Sequence, residues 1–350
     1  MMRLFRSQTR IAAAVLLVAA ALVPVVSSDV YWYNVIATGL VFGVLAMSLD
    51  LQWGYSGIIN LAPAMSFGLG AYSWGIVGDR IEGIGGTYVA LLAAAAVPAL
   101  LGAVVAFVSF KAGTREIYFA LITLALTLVL EQVALAATGL TGGSNGLLGI
   151  AWPEIGIPGA FEIVFDTPES YYYLVVVLTA IAFVVCTALV SGRFGSILAA
   201  IRESEHRAET LGYSTLRYRV AISTIAAALA GVAGMAYAPL TGIVDPSVFG
   251  VALSVQVFVW VAVGGAGTLL GPLVAALLIT AGQSSLTGSS ATAYLLVIGV
   301  VFILIVLFLP GGLASVGERL RRLRRGRLTA LTPAPPAAPT PQEAQGEGQP

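Results

Sequence analysis

The chain consists of long apolar runs separated by short polar links. Ten apolar segments lie at about residues 11–28, 31–50, 60–78, 88–110, 117–137, 171–190, 218–238, 250–264, 268–285 and 292–309. A helix needs about 20 consecutive apolar residues to cross a bilayer. The pattern therefore predicts an all-α polytopic membrane protein with about ten transmembrane helices. Segments 60–78 and 250–264 are short or interrupted by Gly and Pro, so eight spans plus re-entrant segments fit equally well.

Composition supports the membrane class. Of the 350 residues, 58% are hydrophobic and only 10% are charged, with a mean hydropathy of +0.95. A soluble domain carries roughly 25% charged residues. The single cysteine, Cys186, lies inside an apolar run, which excludes an intramolecular disulfide and a cysteine metal cluster.

The basic residues predict the orientation of the chain. With a cytoplasmic N-terminus, all of the 17 Lys and Arg residues except Arg80 fall on the cytoplasmic side. This is the distribution that the positive-inside rule describes, and it requires an even number of spans with both termini inside. Segment 11–28 follows a basic start and precedes small residues, as a signal peptide does. We interpret it as an uncleaved first span, because many further spans follow it.

The polar segments define the predicted domain organisation. A transmembrane domain covers residues 1–318 and includes an acidic outer loop, 138–170, and a cytoplasmic loop, 191–217. The outer loop is either a plain solvated loop or a docking surface for an external partner. Residues 319–350 form a basic and then Pro-, Ala- and Gln-rich cytoplasmic tail, which composition predicts to be disordered. Its basic part serves as a topology anchor or contacts anionic membrane lipid.

Residues 202–213 form a charged island between two apolar runs. Each charge at the centre of a bilayer would cost about 2.5–3.5 kcal/mol, so this segment faces water. Ile201, Ser204, Ala208 and Leu211 fall on one helical face, and Gly212 follows as a C-terminal stop. The pattern predicts a short surface helix whose stripe of small residues docks in a partner's cleft.

Two membrane segments contain Gly- and Pro-rich breaks. Broken backbone at membrane depth requires cover by protein or a water-filled cavity, and paired breaks in transporters mark the translocation path. Glycine clusters that only pack helices are the alternative. Glu131 is an intramembrane carboxylate that lines a path or bonds a neighbouring helix, whereas Asp50 is expected at the membrane interface. The candidate path residues are Gly57, Asn60, Pro63, Glu131, Gly267 and Pro272.

The sequence lacks the common nucleotide-binding, metalloprotease and hydrolase motifs. There is no Gly-x-x-x-x-Gly-Lys-Ser/Thr and no His-Glu-x-x-His, and the only histidine is His206 in the charged island. Ser56 does not match a Gly-x-Ser-x-Gly elbow. We therefore predict no catalytic residue, no metal site and no cofactor, and expect the protein to move something or to help something move.

Five stretches together resemble the LivM-type permease subunit of branched-chain amino acid ABC importers, over about residues 45–312. They are residues 54–72, 115–125, 141–149, 192–213 and 263–272. The resemblance implies a multi-pass protein of the bacterial inner membrane that forms a pore with a LivH-like second permease. It further implies two cytoplasmic ABC ATPases and an extracytoplasmic substrate-binding protein, and no nucleic-acid partner.

The resemblance also implies a function, the import of branched-chain or other hydrophobic amino acids, with ATP hydrolysed by the separate ATPase subunits. The charged island corresponds to the family's ATPase-coupling loop, and the expected coupling residues are Ile201, Glu203, Glu205, Ala208, Leu211 and Gly212. Close relatives that import urea or short amides are the alternative. An ion-coupled carrier would need paired intramembrane carboxylates, and a membrane enzyme or scaffold is the third reading.

Overall fold

The structure, a computed structural model, describes residues 29–286 apart from residue 82 and residues 158–160, together with isolated positions between residues 13 and 24. Predicted span 292–309 and the tail 319–350 lie outside the described residues, as does most of span 11–28. The terminal basic residues on which the predicted orientation partly depends lie outside them too.

Eleven α-helices are present in the described part of the chain. They are α1 (Val30–Asp50), α2 (Pro63–Arg80), α3 (Gly83–Lys111), α4 (Glu116–Ala136), α5 (Thr138–Thr141), α6 (Pro168–Ser191), α7 (Arg193–Glu203), α8 (Glu205–Thr210), α9 (Thr215–Thr241), α10 (Val251–Gly264) and α11 (Leu270–Leu286). A π-helical turn, Leu51–Ser56, extends α1, and 3₁₀ turns lie at Gly143–Asn145 and Pro246–Phe249.

The prediction of an all-α polytopic membrane protein is confirmed. Among the described residues, five helices are long and apolar enough to cross a membrane: α1 with its π-helical turn, α3, α4, α6 and α9. The apolar helices α10 and α11 are shorter. Each predicted segment from 31–50 to 268–285 coincides with one helix, with ends that differ by a few residues. The total number of spans stays a prediction.

Helices α1 and α9 form the centre of the bundle. About 78% of the apolar window of α1 is buried within the chain, against 17% for α3. Helix α1 packs against α6, α9, α10 and α11, while α9 also packs against α2 and α3. Large apolar side chains on α3, α4 and α6 are exposed, as expected for helices that face lipid or another membrane subunit.

Small residues allow α9 to approach α2 and α3 closely. A Cβ added at Gly234 would collide with the carbonyl oxygen of Phe67 on α2, and one at Gly231 would collide with the carbonyl oxygen of Ala94 on α3. Without a hydrophobic driving force between helices in lipid, such close backbone contact is a main source of helix association. The abundant glycines of the sequence therefore have a packing role here.

The predicted outer loop 138–170 is folded rather than open. It carries α5, a 3₁₀ turn and three short strands: β1 (Leu147–Leu148), β2 (Glu154–Ile157) and β3 (Phe161–Val164). Strands β2 and β3 form an antiparallel hairpin, and β1 pairs with β4 (Ile243–Val244) just after α9. The Trp74 indole N–H donates to the carbonyl of Ala151 at 3.2 Å, which fixes the loop to α2.

Candidate coupling and translocation site

The charged island forms two helices rather than one. Helix α7 ends at Glu203, Ser204 is extended with φ −162°, and α8 begins at Glu205. The Ser204 hydroxyl accepts the Arg207 backbone N–H at 3.4 Å, so Ser204 acts as the N-cap of α8. The prediction of one continuous surface helix is wrong. Ser204 has the spacing of the small-residue stripe, but it caps a new helix instead of continuing the first one.

The small-residue stripe faces the protein's own core. Ile201 and Ala208 are each only 2% exposed within this chain, whereas Leu211 is 76% exposed. The prediction that these residues form one docking face is therefore wrong, since helical periodicity identifies an apolar face but not what covers it. Glu203 and Gly212 are exposed and Glu205 is half-buried. Their assignment to ATPase coupling stays a prediction.

A buried arginine connects α8 to the bundle. Arg219, near the start of α9, has a side chain that is only 10% exposed, and its Nη2 lies 3.0 Å from Glu205 Oε2 and 3.3 Å from Glu116 Oε1. Its guanidinium also lies 5.2 Å from the ring centre of Phe110. Two carboxylates and an aromatic face thus surround one cation. This cluster joins the first turns of α4, α8 and α9.

Both predicted breaks are present. After the π-helical turn, residues 57–62 are non-helical until Pro63 starts α2, and a second loop separates Gly264 of α10 from Leu270 of α11. A π-helical turn inside a longer helix is rare and is frequent at functional sites. The protein covers these stretches of broken backbone in part: Ile58, Ala62 and Leu269 are buried, whereas Ala266 is exposed.

Asp50 joins the two breaks. Its Oδ1 accepts the backbone N–H of Gly267 at 2.6 Å, and its Oδ2 accepts that of Leu269 at 3.0 Å. The Arg202 guanidinium, at the end of α7, donates to the carbonyl of Gly54 in the π-helical turn. We call these five residues the hinge node. Asp50 is 0% exposed, and its two backbone donors satisfy it inside the protein. Its position near the membrane interface stays a prediction.

Leu269 adds local strain to the hinge node. Its φ of +54° is the only positive value found for a non-glycine residue in the described part of the chain. A left-handed backbone at such a residue costs about 1–3 kcal/mol and persists only where the surroundings enforce it. The hydrogen bond from its N–H to Asp50 holds this conformation, so the second break depends on the carboxylate.

The other predicted path residues have mostly local roles. Asn60 Oδ1 accepts the Ala62 N–H at 2.8 Å, and Pro63 is the first residue of α2. Gly57 lies against the stem of Arg202 and thereby borders the hinge node. Pro272 is buried in the first turn of α11, and Glu131 is half-buried on α4, outside the hinge node. A role for them in translocation stays a prediction.

A cavity of about 390 Å³ lies within the same bundle. Its lining comes from α1, α2, α9, α10, α11 and the second 3₁₀ turn: Thr38, Phe42, Phe67, Tyr237, Ser247, Val248, Leu253, Gln256, Thr280, Gln283 and Ser284. Phe42 is eight residues before Asp50 on α1, or about 12 Å along the helix axis. Thr280 likewise follows Leu269 along α11. The cavity and the hinge node therefore lie at different levels along the same helices, with the hinge node at the C-terminal end of α1 and just before α11.

Sequence reasoning missed several of these residues. The sequence pattern identifies Arg202 only as one of the charged residues of the island. It gives no indication of a functional role for Leu269, Phe42 or Thr280. The available signal for Arg202 was its place beside Ile201, since a buried neighbour brings the arginine stem against the bundle. No comparable signal exists for the cavity residues, because apolar and hydroxyl side chains are common in any membrane helix.

Comparison with known protein families decides the affiliation of the chain. A family model described as "Branched-chain amino acid transport system / permease component" matches residues 31–306. The chain belongs to this family. The match covers both breaks, the charged island and the lining of the cavity. It confirms the predicted affiliation and identifies the protein as a multi-pass membrane permease component.

Individual relatives agree with the family match. The high-affinity branched-chain amino acid permease proteins LivM of Salmonella typhimurium and Escherichia coli are each 26% identical over 292 residues, or 78% of this chain and 68% of the relative. A LivH permease protein of Salmonella typhimurium is 22% identical over 301 residues, or 82% of this chain and 95% of the relative. No solved structure gives a significant match to this permease.

Proposed function

We propose that this permease imports branched-chain and other hydrophobic amino acids as one membrane subunit of an ABC importer. The family match and the names of the LivM relatives support this substrate class over urea or short amides. The expected partners are a LivH-like second permease, two cytoplasmic ABC ATPases and an extracytoplasmic binding protein. The energy then comes from ATP hydrolysed outside this chain.

One observation carries the coupling part of the proposal: Arg202 of α7 contacts the carbonyl of Gly54 in the first break. Four residues earlier along the chain, Asp50 holds the second break through Gly267. A displacement of α7 therefore acts directly on both interrupted segments. A permease that takes its energy from separate ATPase subunits needs a water-exposed segment that is connected to its membrane helices.

The proposed orientation places the hinge node at the cytoplasmic side. Helices α7 and α8 carry exposed charges and lie at the end of the bundle that contains Asp50. The basic residues of the sequence favour the cytoplasm for this end. The cavity then lies towards the outer side, where a binding protein would deliver its ligand.

The proposed mechanism is alternating access. Closure of the ATPases shifts α7 and α8, and Arg202 transmits the shift to the π-helical turn. The hinge node changes the angle between α1 and α11, because Asp50 holds the start of the α11 segment through two backbone N–H groups. Rocking of helices about such breaks opens the path first on one side and then on the other.

The experiment that tests the function is uptake into proteoliposomes that contain the complete complex with its binding protein. We expect uptake of L-leucine and L-isoleucine to require internal ATP and to survive collapse of the proton gradient. Uptake that persists without the ATPases but stops with the gradient would show an ion-coupled carrier. ATP-driven uptake of urea in place of leucine would overturn the substrate class.

A further inference from the structure

The cavity between α1, α2, α9, α10 and α11 has the dimensions and the lining of a ligand site. Its volume of about 390 Å³ lies within the range of roughly 300–1,000 Å³ that is common for small-molecule pockets. Every side chain that lines it among the described residues is neutral. The lining divides into an aromatic and aliphatic part and a polar part, as expected for a ligand with one apolar and one polar end.

The apolar part is a cluster of aromatic side chains. Phe42 stacks on Tyr237 with ring centres 5.6 Å apart, and Phe67 lies 5.3 Å from Tyr237. Trp260 packs on Phe42 at 4.9 Å, one turn of α10 beyond Gln256. The cluster therefore offers apolar faces to a side chain that enters the cavity.

The polar part comes from α10 and α11. Gln256 Nε2 donates to Gln283 Oε1 at 3.4 Å, a long hydrogen bond between helices. The Thr280 hydroxyl lies one turn from Gln283 on a residue that is 6% exposed, and it has no hydrogen-bond partner among the described residues. A buried hydroxyl without a partner is costly and rare in folded proteins. The Thr280 oxygen is itself buried, so Gln256, Gln283 and Ser284 supply the polar groups that line this part of the cavity.

We infer that this cavity holds the amino acid in transit, with its apolar side chain on the aromatic cluster and its polar groups towards the polar part on α10 and α11. The inference rests on the proposed function and specifies where in this chain the substrate stops. Neutral hydrogen-bonding groups hold a zwitterion weakly, since neither its carboxylate nor its ammonium group meets an opposite charge. Weak binding suits a transport path, because a ligand must also leave.

The test uses thiol labelling, for which the chain is well suited because it contains one cysteine, Cys186, which is buried. In a Cys186→Ser background, Gln256→Cys and Ser284→Cys each place a thiol on a different wall of the cavity. The complete complex, without binding protein or ATP, is reconstituted in lipid nanodiscs and treated with a water-soluble methanethiosulfonate reagent. Asp79→Cys, at the exposed end of α2 and outside the cavity lining, is the control, because water reaches it.

We expect L-leucine at millimolar concentration to slow modification of Gln256→Cys and Ser284→Cys by roughly threefold or more, as occupancy of a shared cavity requires. Glycine and urea should not slow it, because neither fills the apolar part. Modification of Asp79→Cys should not depend on leucine.

Two results would overturn the inference. The first is modification of both cavity thiols at the same rate with and without leucine. The second is failure of both thiols to react in a complex that still assembles and hydrolyses ATP. Use of two positions prevents one poorly folded variant from deciding the outcome.

The outcomes that contradict the proposed function differ from those that contradict the inference. If wild-type complex imports leucine with ATP but neither thiol is protected, the path does not use this cavity and only the inference is wrong. If leucine protects the thiols but no ATP-driven uptake occurs, the cavity is an amino-acid site and the importer proposal is wrong.

Discussion

Arg202 is the residue through which we expect the charged island to act on the membrane helices. Its guanidinium donates to a backbone carbonyl in the π-helical turn, a contact that a leucine side chain cannot make. Arg202→Leu should lower ATP-driven leucine uptake by roughly tenfold, equivalent to a coupling free energy of about 1.4 kcal/mol. ATP hydrolysis by the complex should change much less, because the ATPases still bind and close.

The control for Arg202 is Arg193→Leu. Arg193 begins the same helix and is exposed, so its loss removes an equal charge from α7 without touching the break. Uptake and hydrolysis should both stay near wild type. If the two variants lose uptake equally, charge on α7 rather than the contact to Gly54 explains the effect, and the proposed transmission is refuted.

Asp50 is expected to be essential for stability as well as transport. Its two oxygens accept two different N–H groups, and an asparagine would oppose one of these donors with its own NH₂ group. Asp50→Asn should destabilise the protein by about 1.5–3 kcal/mol, the typical range for hydrogen bonds to a charged group. The midpoint of thermal unfolding of the purified complex measures this. The control variant Asp79→Asn, at the exposed end of α2, should change the unfolding midpoint little. Equal shifts of the midpoint in both variants would contradict the role of Asp50.

Sequence reasoning works unevenly at the residue scale. It selected Gly57 and Gly267, which border or form the hinge node, because glycine and proline interrupt an apolar run visibly. It did not indicate that the Asp50 carboxylate is buried within the protein. The partners of Asp50 lie more than 200 residues later in the chain, and no local pattern reports a contact of that separation.

At the scale of elements, the positions of the apolar helices were predictable and the helices of the charged island were not. Twenty apolar residues have one stable arrangement in a bilayer, so the length of each run predicts its helix. The island lies in water, where Ser204 can either continue a helix or cap a new one. The choice made here depends on burial of Ile201 and Ala208 against the bundle, which is a tertiary effect.

Gly212 provides a test of the coupling segment that does not disturb its packing. The residue follows α8 with φ +87°, and a Cβ there would meet no heavy atom within 4 Å. A valine would therefore strain the backbone by about 1–2 kcal/mol without a clash. We expect Gly212→Val to reduce ATP-driven uptake while the protein still inserts in the membrane, because the surface offered to the ATPase changes shape.

Gly242→Val is the matched variant for Gly212→Val. Gly242 ends α9 at the opposite end of the bundle, with φ +67° and the same open space around an added Cβ. The backbone strain is therefore similar, but the site is remote from the charged island. Its uptake should remain near wild type at equal amounts of inserted protein. Equal loss in both variants would show that strain alone lowers uptake, and Gly212 would have no special role in coupling.

At the scale of the whole molecule, α9 determines how the helices assemble, and this was only partly visible in the sequence. The sequence contains 40 glycines, and any of them could in principle allow two helices to pack closely. Which ones serve depends on which helices meet, and that is a property of the complete bundle. The folded outer loop was not predictable for the same reason, since β1 pairs with β4, which follows α9 far along the chain.

The packing of α9 against α2 can be tested at Gly234. An added Cβ would collide with the carbonyl oxygen of Phe67 and lie 3.0 Å from the Ala71 nitrogen, both in the backbone of α2. Backbone cannot move aside as a flexible side chain does, so Gly234→Ala should destabilise the protein by about 1–3 kcal/mol despite the better helix propensity of alanine. Gly78→Ala, on α2 itself, meets no heavy atom within 4 Å and should be neutral or slightly stabilising. Thermal unfolding of the two variants in one lipid environment compares them directly.

Because the cavity has walls from both α2 and α9, Gly234→Ala should also weaken protection of the cavity thiols by leucine, whereas Gly78→Ala should not. Unchanged unfolding and unchanged protection in Gly234→Ala would show that α2 and α9 do not pack as closely as described.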